Sequence, residues 1–281
     1  MSLSSRIRSG LKRWSLAMAG PDLEARLEAT RPAGEFGVDA FGYDPDYALS
    51  AVAPLVWLYK HYFRVETHGL ARVPPGRVLL IPNHSGQLPF DGAMIGIALL
   101  TEARPARVIR GMVDQWVATL PYVSTTYARI GQIVGTPENC RRLLERDEAI
   151  LAFPEGMKAI VKPFSQRYQL QRFGLGFMRL ALETGTPIVP VGVIGAEEQA
   201  PALVDLKVVA RALGLPSLPL TAWGAPLPLP TKYHLHFGEP LTFHGRHDDE
   251  DAELERKVEV VKEALSKLLE QGLAERKGVF W

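Results

Sequence analysis

Val78-Leu79-Leu80-Ile81-Pro82-Asn83-His84-Ser85-Gly86-Gln87-Leu88-Pro89-Phe90-Asp91-Gly92 joins an unbroken apolar run to a short polar loop. Val78 to Ile81 are aliphatic without alternation, the pattern of a strand buried on both faces. Pro82 has no backbone donor and stops the ladder. His84 and Asp91 therefore sit on a loop at the carboxyl end of an inner strand, where open α/β sheets bind ligands. The competing reading is a polar loop whose histidine only caps backbone groups.

Two more runs of the same kind follow. One covers 149–153 and ends at Pro154-Glu155-Gly156; the other covers 187–194 and leaves through Gly195-Ala196-Glu197-Glu198. Shorter strands are expected at 65–68, 106–109 and 233–237, and a strand or turn at 131–134. Helices are expected at 23–29, 47–63 (kinked or restarted at Pro54), 92–100, 177–184, 202–213 and 250–271. Residues 112–129 read as helix in two pieces broken at Pro121. Thr136-Pro137-Glu138 opens a helix to about 146, with a hydroxyl cap, a proline at the first position and an acid in the first turn. Gly185 is placed to end the helix before it. The alternation predicts an α/β fold: a single layered domain with a mixed, mainly parallel sheet flanked by helices. Residues 47–245 would form that domain, 1–46 an N-terminal amphipathic segment and 246–281 a C-terminal helix.

Composition narrows the function classes. The chain has 281 residues, 47% of them hydrophobic, enough for a sizeable core. With 32 basic against 31 acidic residues, no nucleic-acid surface built on bulk charge is expected. The single Cys140 rules out an intramolecular disulfide and fits a reducing compartment. No run of 18 apolar residues suggests a spanning helix. The first 19 residues are unusual. Leu3, Ile7, Leu11, Trp14 and Met18 recur on one helical face, with Arg6, Arg8, Lys12 and Arg13 around it and no acid before Asp22. That is the composition of a helix lying in a membrane interface; the alternative is a helix docked on the body or on a second subunit. Basic residues interrupt any continuous apolar core, so a signal peptide is not expected.

The ordered set Asn83-His84, Asp91, Phe153-Pro154-Glu155-Gly156 and Ile188-Val189-Pro190-Val191 resembles the glycerolipid acyltransferase superfamily, which includes 1-acylglycerol-3-phosphate acyltransferases. Leu88-Pro89-Phe90-Asp91-Gly92 and the text from Arg172-Phe173-Gly174 through Gly195-Ala196-Glu197-Glu198 are similar to its mono- and diacylglycerol acyltransferase-like branch. The likeness spans roughly residues 47–241. It implies transfer of a fatty acyl group from acyl-CoA or acyl carrier protein, as co-substrate, to the hydroxyl of a glycerolipid or related lipid alcohol. It implies no cofactor and a cytoplasmic protein, peripheral or monotopic at the inner face of the membrane.

The chemistry suits these residues. A lipid hydroxyl is almost wholly protonated at neutral pH, and a neutral imidazole can accept its proton. A carboxylate beside that imidazole fixes the tautomer and stabilises the imidazolium as it forms. The resemblance implies His84 as the base and Asp91 as its partner. The common family spacing has four residues between them and this chain has six, so the loop must fold back, and Gly86 and Pro89 could permit it. The resemblance also makes Phe153, Pro154, Glu155 and Gly156 an acceptor-binding block, although Glu155 could equally cap backbone donors at a strand end. Where many members carry an acceptor-phosphate arginine, this chain has Pro137. Any phosphate site would then draw on Lys158, Lys162, Arg167 or Arg172, four cations in a segment without an acid, or the acceptor lacks a phosphate.

Other constellations are weaker. His234 and His236 alternate on one strand and could share a metal, with His244 and His247 nearby. No cysteine or carboxylate accompanies them in a tight motif, so no metal ligand is assigned. Gly174-Leu175-Gly176 lacks the third glycine of a dinucleotide loop, and no Gly-x-Ser-x-Gly elbow occurs. Two readings remain beside acyl transfer: a lipid-binding member without catalysis, and a metal-dependent hydrolase using the histidine cluster.

Overall fold

Val78–Pro82 (β2) has no exposed residue, and both its edges are paired. In the computed structural model it lies mid-sheet, parallel to Ala149–Leu151 (β5) on one side and to Ile188–Ile194 (β6) on the other. The structure describes residues 3–33, 37–84, 89–156, 162, 164–200, 202–205, 219–221 and 228–281. Numbering strands along the chain, the seven-stranded sheet has the order β1-β9-β6-β2-β5-β3-β4. The others are β1 (Glu66–His68), β3 (Ile109–Val113), β4 (Ile133–Val134) and β9 (His234–Phe237). Every neighbouring pair is parallel except β6 and β9. The sheet is thus mixed and mainly parallel, as the apolar runs imply. A separate antiparallel pair joins β7 (Ala202–Asp205) to β8 (Pro219–Thr221).

Because successive residues of a strand point to opposite faces, β2 divides the core in two. Val78 and Leu80 pack with helices α3 (Pro45–Trp57) and α4 (Phe90–Thr101). Leu79 and Ile81 pack with α6 (Pro137–Leu144), α7 (Gly176–Thr184) and α8 (Asp251–Glu275). The remaining helices are α1 (Leu3–Ala19), α2 (Asp22–Glu28) and α5 (Val123–Arg129). Local signals explain several boundaries. Asp44 caps α3 by accepting from the Asp46 and Tyr47 amides. Thr136 caps α6 by accepting from the Asn139 amide. Gly185 ends α7 at φ 63°, a conformation that favours glycine. Pro54 neither stops α3 nor restarts it: the helix continues into a π turn, Leu58–Tyr62, closed by the Phe63 amide on the Leu58 carbonyl.

Two expectations are corrected. The strand placed at 106–109 runs instead at Ile109–Val113, taking residues 112 and 113 from the expected helix. Arg110 hid it: a charged residue read as the end of a strand is 2% exposed, ion-paired to Asp39 and, at 3.0 Å, to Glu148. The helix expected at 202–213 is a strand over Ala202–Asp205, where pairing with β8 overrides local propensity; residues 206–213 lie outside the described residues.

At the end of β2 the chain leaves the sheet while still buried. Asn83 is fully buried, and its carboxamide replaces a ladder position: Nδ2 donates to the Val193 carbonyl at 3.0 Å and Oδ1 accepts from the Val193 amide at 2.8 Å. Asn83→Ala strands both Val193 groups. At ~1–3 kcal/mol for each buried group left unpaired, it should lower stability by about 2–6 kcal/mol, read as a fall in the urea midpoint. An unchanged midpoint would mean that β6 does not depend on this clamp.

Candidate active site

Asp91 stands in the first turn of α4, shortly after Pro89, and is fully buried. The six-residue separation closes: His84 Nδ1 and Asp91 Oδ2 are 2.7 Å apart. Residues 85–88 of the loop between them lie outside the described residues. The other Asp91 oxygen accepts from the Gly92 amide at 2.7 Å. With Nδ1 engaged by the carboxylate, Nε2 is the nitrogen left for chemistry. The imidazole is packed against Phe153, ring centroids 4.1 Å apart.

Glu155 holds the His84 backbone. One carboxylate oxygen accepts from the His84 amide at 3.1 Å and the other from the Gln171 amide at 2.7 Å. It is 3% exposed. The geometry is that of a carboxylate capping backbone donors at a strand end. Phe153 and Gly156 instead line a cavity of about 910 Å³ that His84 also lines. A second cavity, about 460 Å³ and walled almost wholly by apolar side chains of α3, α4, α5 and β3, shares Pro89, Met112, Val113, Tyr127 and Phe153 with the first. Both volumes are in the range of small-molecule sites.

Among the described residues, the cations of the basic segment after Glu155 each face a carboxylate. Lys162 is buried against Glu197 at 2.8 Å. Arg167 lies 3.9 Å from Glu198, and Arg172 pairs at 2.7 Å with Glu255 of α8. Lys158 lies outside the described residues. The counter-charges come from β6's exit and the C-terminal helix, which an acid count along 157–173 could not reveal. Arg179 is the one arginine among the described residues lining the larger cavity. It is committed to Asp251 at 2.5 Å and to the His247 carbonyl at 2.5 Å. Pro137, at the first turn of α6, lines that cavity too.

Sequence reasoning assigned no role to Glu197. Burial holds its pKa up, against the nearby Lys162, and it accepts from the Tyr168 amide at 3.0 Å and from Asn83 Nδ2 at 3.4 Å. The available signal was an acid pair directly at the exit of a buried strand.

His234 and His236 lie on β9, apart from both cavities. The fold brings Glu66, His68 and Glu275 to them, three side chains that no local motif announced.

Burial pushes the His84 pKa down, while the Asp91 carboxylate, by charge and hydrogen bond, and the charges of Glu155 and Glu197 push it up. The net shift is upward from 6.5. A raised folded-state pKa contributes stability fully present below 6.5 and lost as pH rises through the folded value. An NMR titration of the His84 ring should therefore give a pKa above 6.5, and Asp91→Asn should move it down. A value at or below 6.5 in the wild-type protein would show that burial outweighs the carboxylate.

Residues 64–194 match the protein family described as Acyltransferase. A protein of Mycobacterium tuberculosis, described as uncharacterised, is 36% identical over 263 residues, covering 89% of this chain and 74% of its own. One from Mycobacterium leprae, described likewise, is 37% identical over the same share of this chain and 72% of its own. A Gallus gallus protein named DGAT1/2-independent enzyme synthesizing storage lipids is 25% identical over 211 residues, 72% of this chain and 60% of that one. Among solved structures, the 1-acyl-sn-glycerophosphate (LPA) acyltransferase PlsC from Thermotoga maritima superposes with a TM-score of 0.55. It covers 98% of this chain and 99% of its own at 15% identity, a likeness of fold.

Proposed function

The chain belongs to the acyltransferase family, and from that premise we propose that it moves a fatty acyl group from acyl-CoA, or acyl carrier protein, to the hydroxyl of a neutral glycerolipid. The observation that carries the reading is the buried His84–Asp91 pair at the wall of the larger cavity. In the proposed reaction His84 Nε2 takes the proton of the acceptor hydroxyl as its oxygen bonds to the thioester carbonyl carbon. Asp91 holds Nδ1 protonated and stabilises the imidazolium. The carbon–sulfur bond then breaks, and the departing thiolate takes up the proton. No acyl-enzyme is needed. The smaller apolar cavity, which shares lining residues with the first, suits an acyl chain.

A neutral acceptor, a mono- or diacylglycerol, fits the charges better than a phosphate monoester. Such a monoester carries close to two negative charges, and its recognition uses an arginine fork or several convergent donors. Pro137 offers neither charge nor backbone donor. Among the described residues, Lys162, Arg167, Arg172 and Arg179 already face carboxylates. The name of the Gallus gallus relative, which speaks of storage lipids, points the same way.

The acceptor panel tests this. With one acyl-CoA in one detergent, kcat/KM for diacylglycerol should exceed that for lysophosphatidic acid. His84→Ala should abolish transfer while remaining folded, and Asp91→Asn should lower kcat by about 10²–10⁴ with little change in KM. Activity retained in His84→Ala would sink the mechanism. A tenfold preference for lysophosphatidic acid would sink the acceptor assignment.

We also propose that α1 lies on a membrane surface. No helix among the described residues is long and apolar enough to cross one. α1 packs against α3 with Ser15 and Ala19 buried, while Leu11 and Trp14 of its apolar stripe are 46% and 45% exposed. Leu16 also packs against the core, so the helix docks through Ser15, Leu16 and Ala19 and leaves Leu11 and Trp14 of its stripe outward. Lys12 and Arg13 are exposed beside them and would favour anionic lipid. Leu11→Glu with Trp14→Glu should abolish flotation with anionic liposomes at an unchanged melting temperature; undiminished flotation would remove α1 as the anchor.

A further inference from the structure

β1 and β9 run parallel at the sheet edge with Glu66 opposite His234 and His68 opposite His236. Alternate residues share a face, so all four side chains stand on one side. His68 is stacked on His236, ring centroids 4.3 Å apart and planes 14° from parallel, and lies 5.9 Å from His234. Helix α8 crosses this face and meets His236 at Gly272, where an added Cβ would lie 2.9 Å from both Cδ2 and Nε2. The missing side chain lets the imidazole edge reach the helix. Glu275, three residues on, occupies the same helical face.

Potential ligand atoms of His68, His236 and Glu275 lie within 4.8 Å of one another, and so do those of Glu66, His68 and His234. His234 and His236 are only 8% and 3% exposed, and Nε2 of each has no hydrogen-bond partner among the described residues. Buried polar nitrogens are normally paired. Two orphans on one strand, each beside a further histidine and a carboxylate, call for a ligand that accepts lone pairs.

We propose that His68, His236 and Glu275 bind one divalent transition-metal ion of the zinc type. Two imidazoles and one carboxylate suit zinc and its neighbours and do not suit magnesium or calcium, which take oxygen ligands. The Glu66 group is the poorer of the two because Glu66 is already paired with Lys232 at 2.6 Å. Ligands from β1, β9 and the last turn of α8 make the ion a fastener of the sheet edge to the C-terminal helix. None of the three lines either cavity, so the site is structural and independent of the acyl-transfer reading.

The test uses the full chain without a histidine tag, stripped with chelator and titrated with zinc by calorimetry, with melting temperature followed in parallel. One ion should bind per chain with micromolar or tighter Kd and raise the melting temperature. His68→Ala and Glu275→Gln, both at exposed positions, should each weaken Kd at least tenfold without changing the metal-free melting temperature. His244→Ala with His247→Ala should leave Kd unchanged. The proposal is overturned if wild-type protein shows no saturable binding at micromolar zinc. It is equally overturned if the His68→Ala, Glu275→Gln double variant binds as wild type does.

Discussion

The two hydrogen bonds between the Asn83 carboxamide and the Val193 backbone let a fully buried strand end without leaving an orphaned polar group. Pro82 takes the last place of β2 and brings no amide. An ordinary residue after it would have to continue the ladder or leave Val193 unpaired. Asn83 satisfies Val193 through its side chain and frees its own backbone to turn. The His84 amide then goes to Glu155 and the His84 ring to Asp91. The imidazole is thus fixed through β6, through the segment after β5 and through α4. A group held from three elements loses little freedom when a substrate arrives, the condition under which orientation contributes most to rate.

The charges follow the same economy of partners. Residues 157–173 look like an anion site when read as a string, since cations occur there without acids. In space the acids arrive from elsewhere, Glu197 and Glu198 after β6 and Glu255 on α8. Lys162–Glu197 and Arg110–Asp39 are largely withdrawn from water. Removing one partner of such a pair leaves a charge buried without compensation, a much larger penalty than losing a surface ion pair. The Lys162 pair therefore ties Lys162 itself to the exit of β6.

What was legible follows from range. β2, β5 and β6 declare themselves as aliphatic runs because both their faces are buried, and the caps at Thr136 and Gly185 act within a few residues. β3 was misplaced because Arg110 finds its acids at Asp39 and Glu148, far away in sequence. The strand at Ala202–Asp205 depends on a partner that begins only at Pro219. His84 and Asp91 could be put on one loop from spacing, but their contact across six residues was carried by family resemblance. The capping geometry of Glu155 was one of two readings that local sequence left open. His236 was legible beside His234 as a possible metal ligand, but its grouping with His68 and Glu275 had no local signature, since β1 and α8 are far apart in the chain.

In the proposed reaction His84 must both take a proton and return it, so the direction of its shift matters more than its existence. Burial alone would make the imidazole a poorer acceptor, neutral at every physiological pH but weak toward an alcohol. Asp91 first, with the charges of Glu155 and Glu197, reverses that sign by stabilising the charged form. A higher pKa strengthens proton abstraction and weakens proton return to the departing thiolate, so transfer in both directions is served best near the working pH. A thiol with an ordinary pKa near ~8.5 is a good leaving group with little help from an acid. The alcohol, far less acidic, is the partner that needs assistance. The balance of burial against the surrounding carboxylates, Asp91 first, therefore favours the half of the proposed reaction that is harder, attack by the lipid hydroxyl.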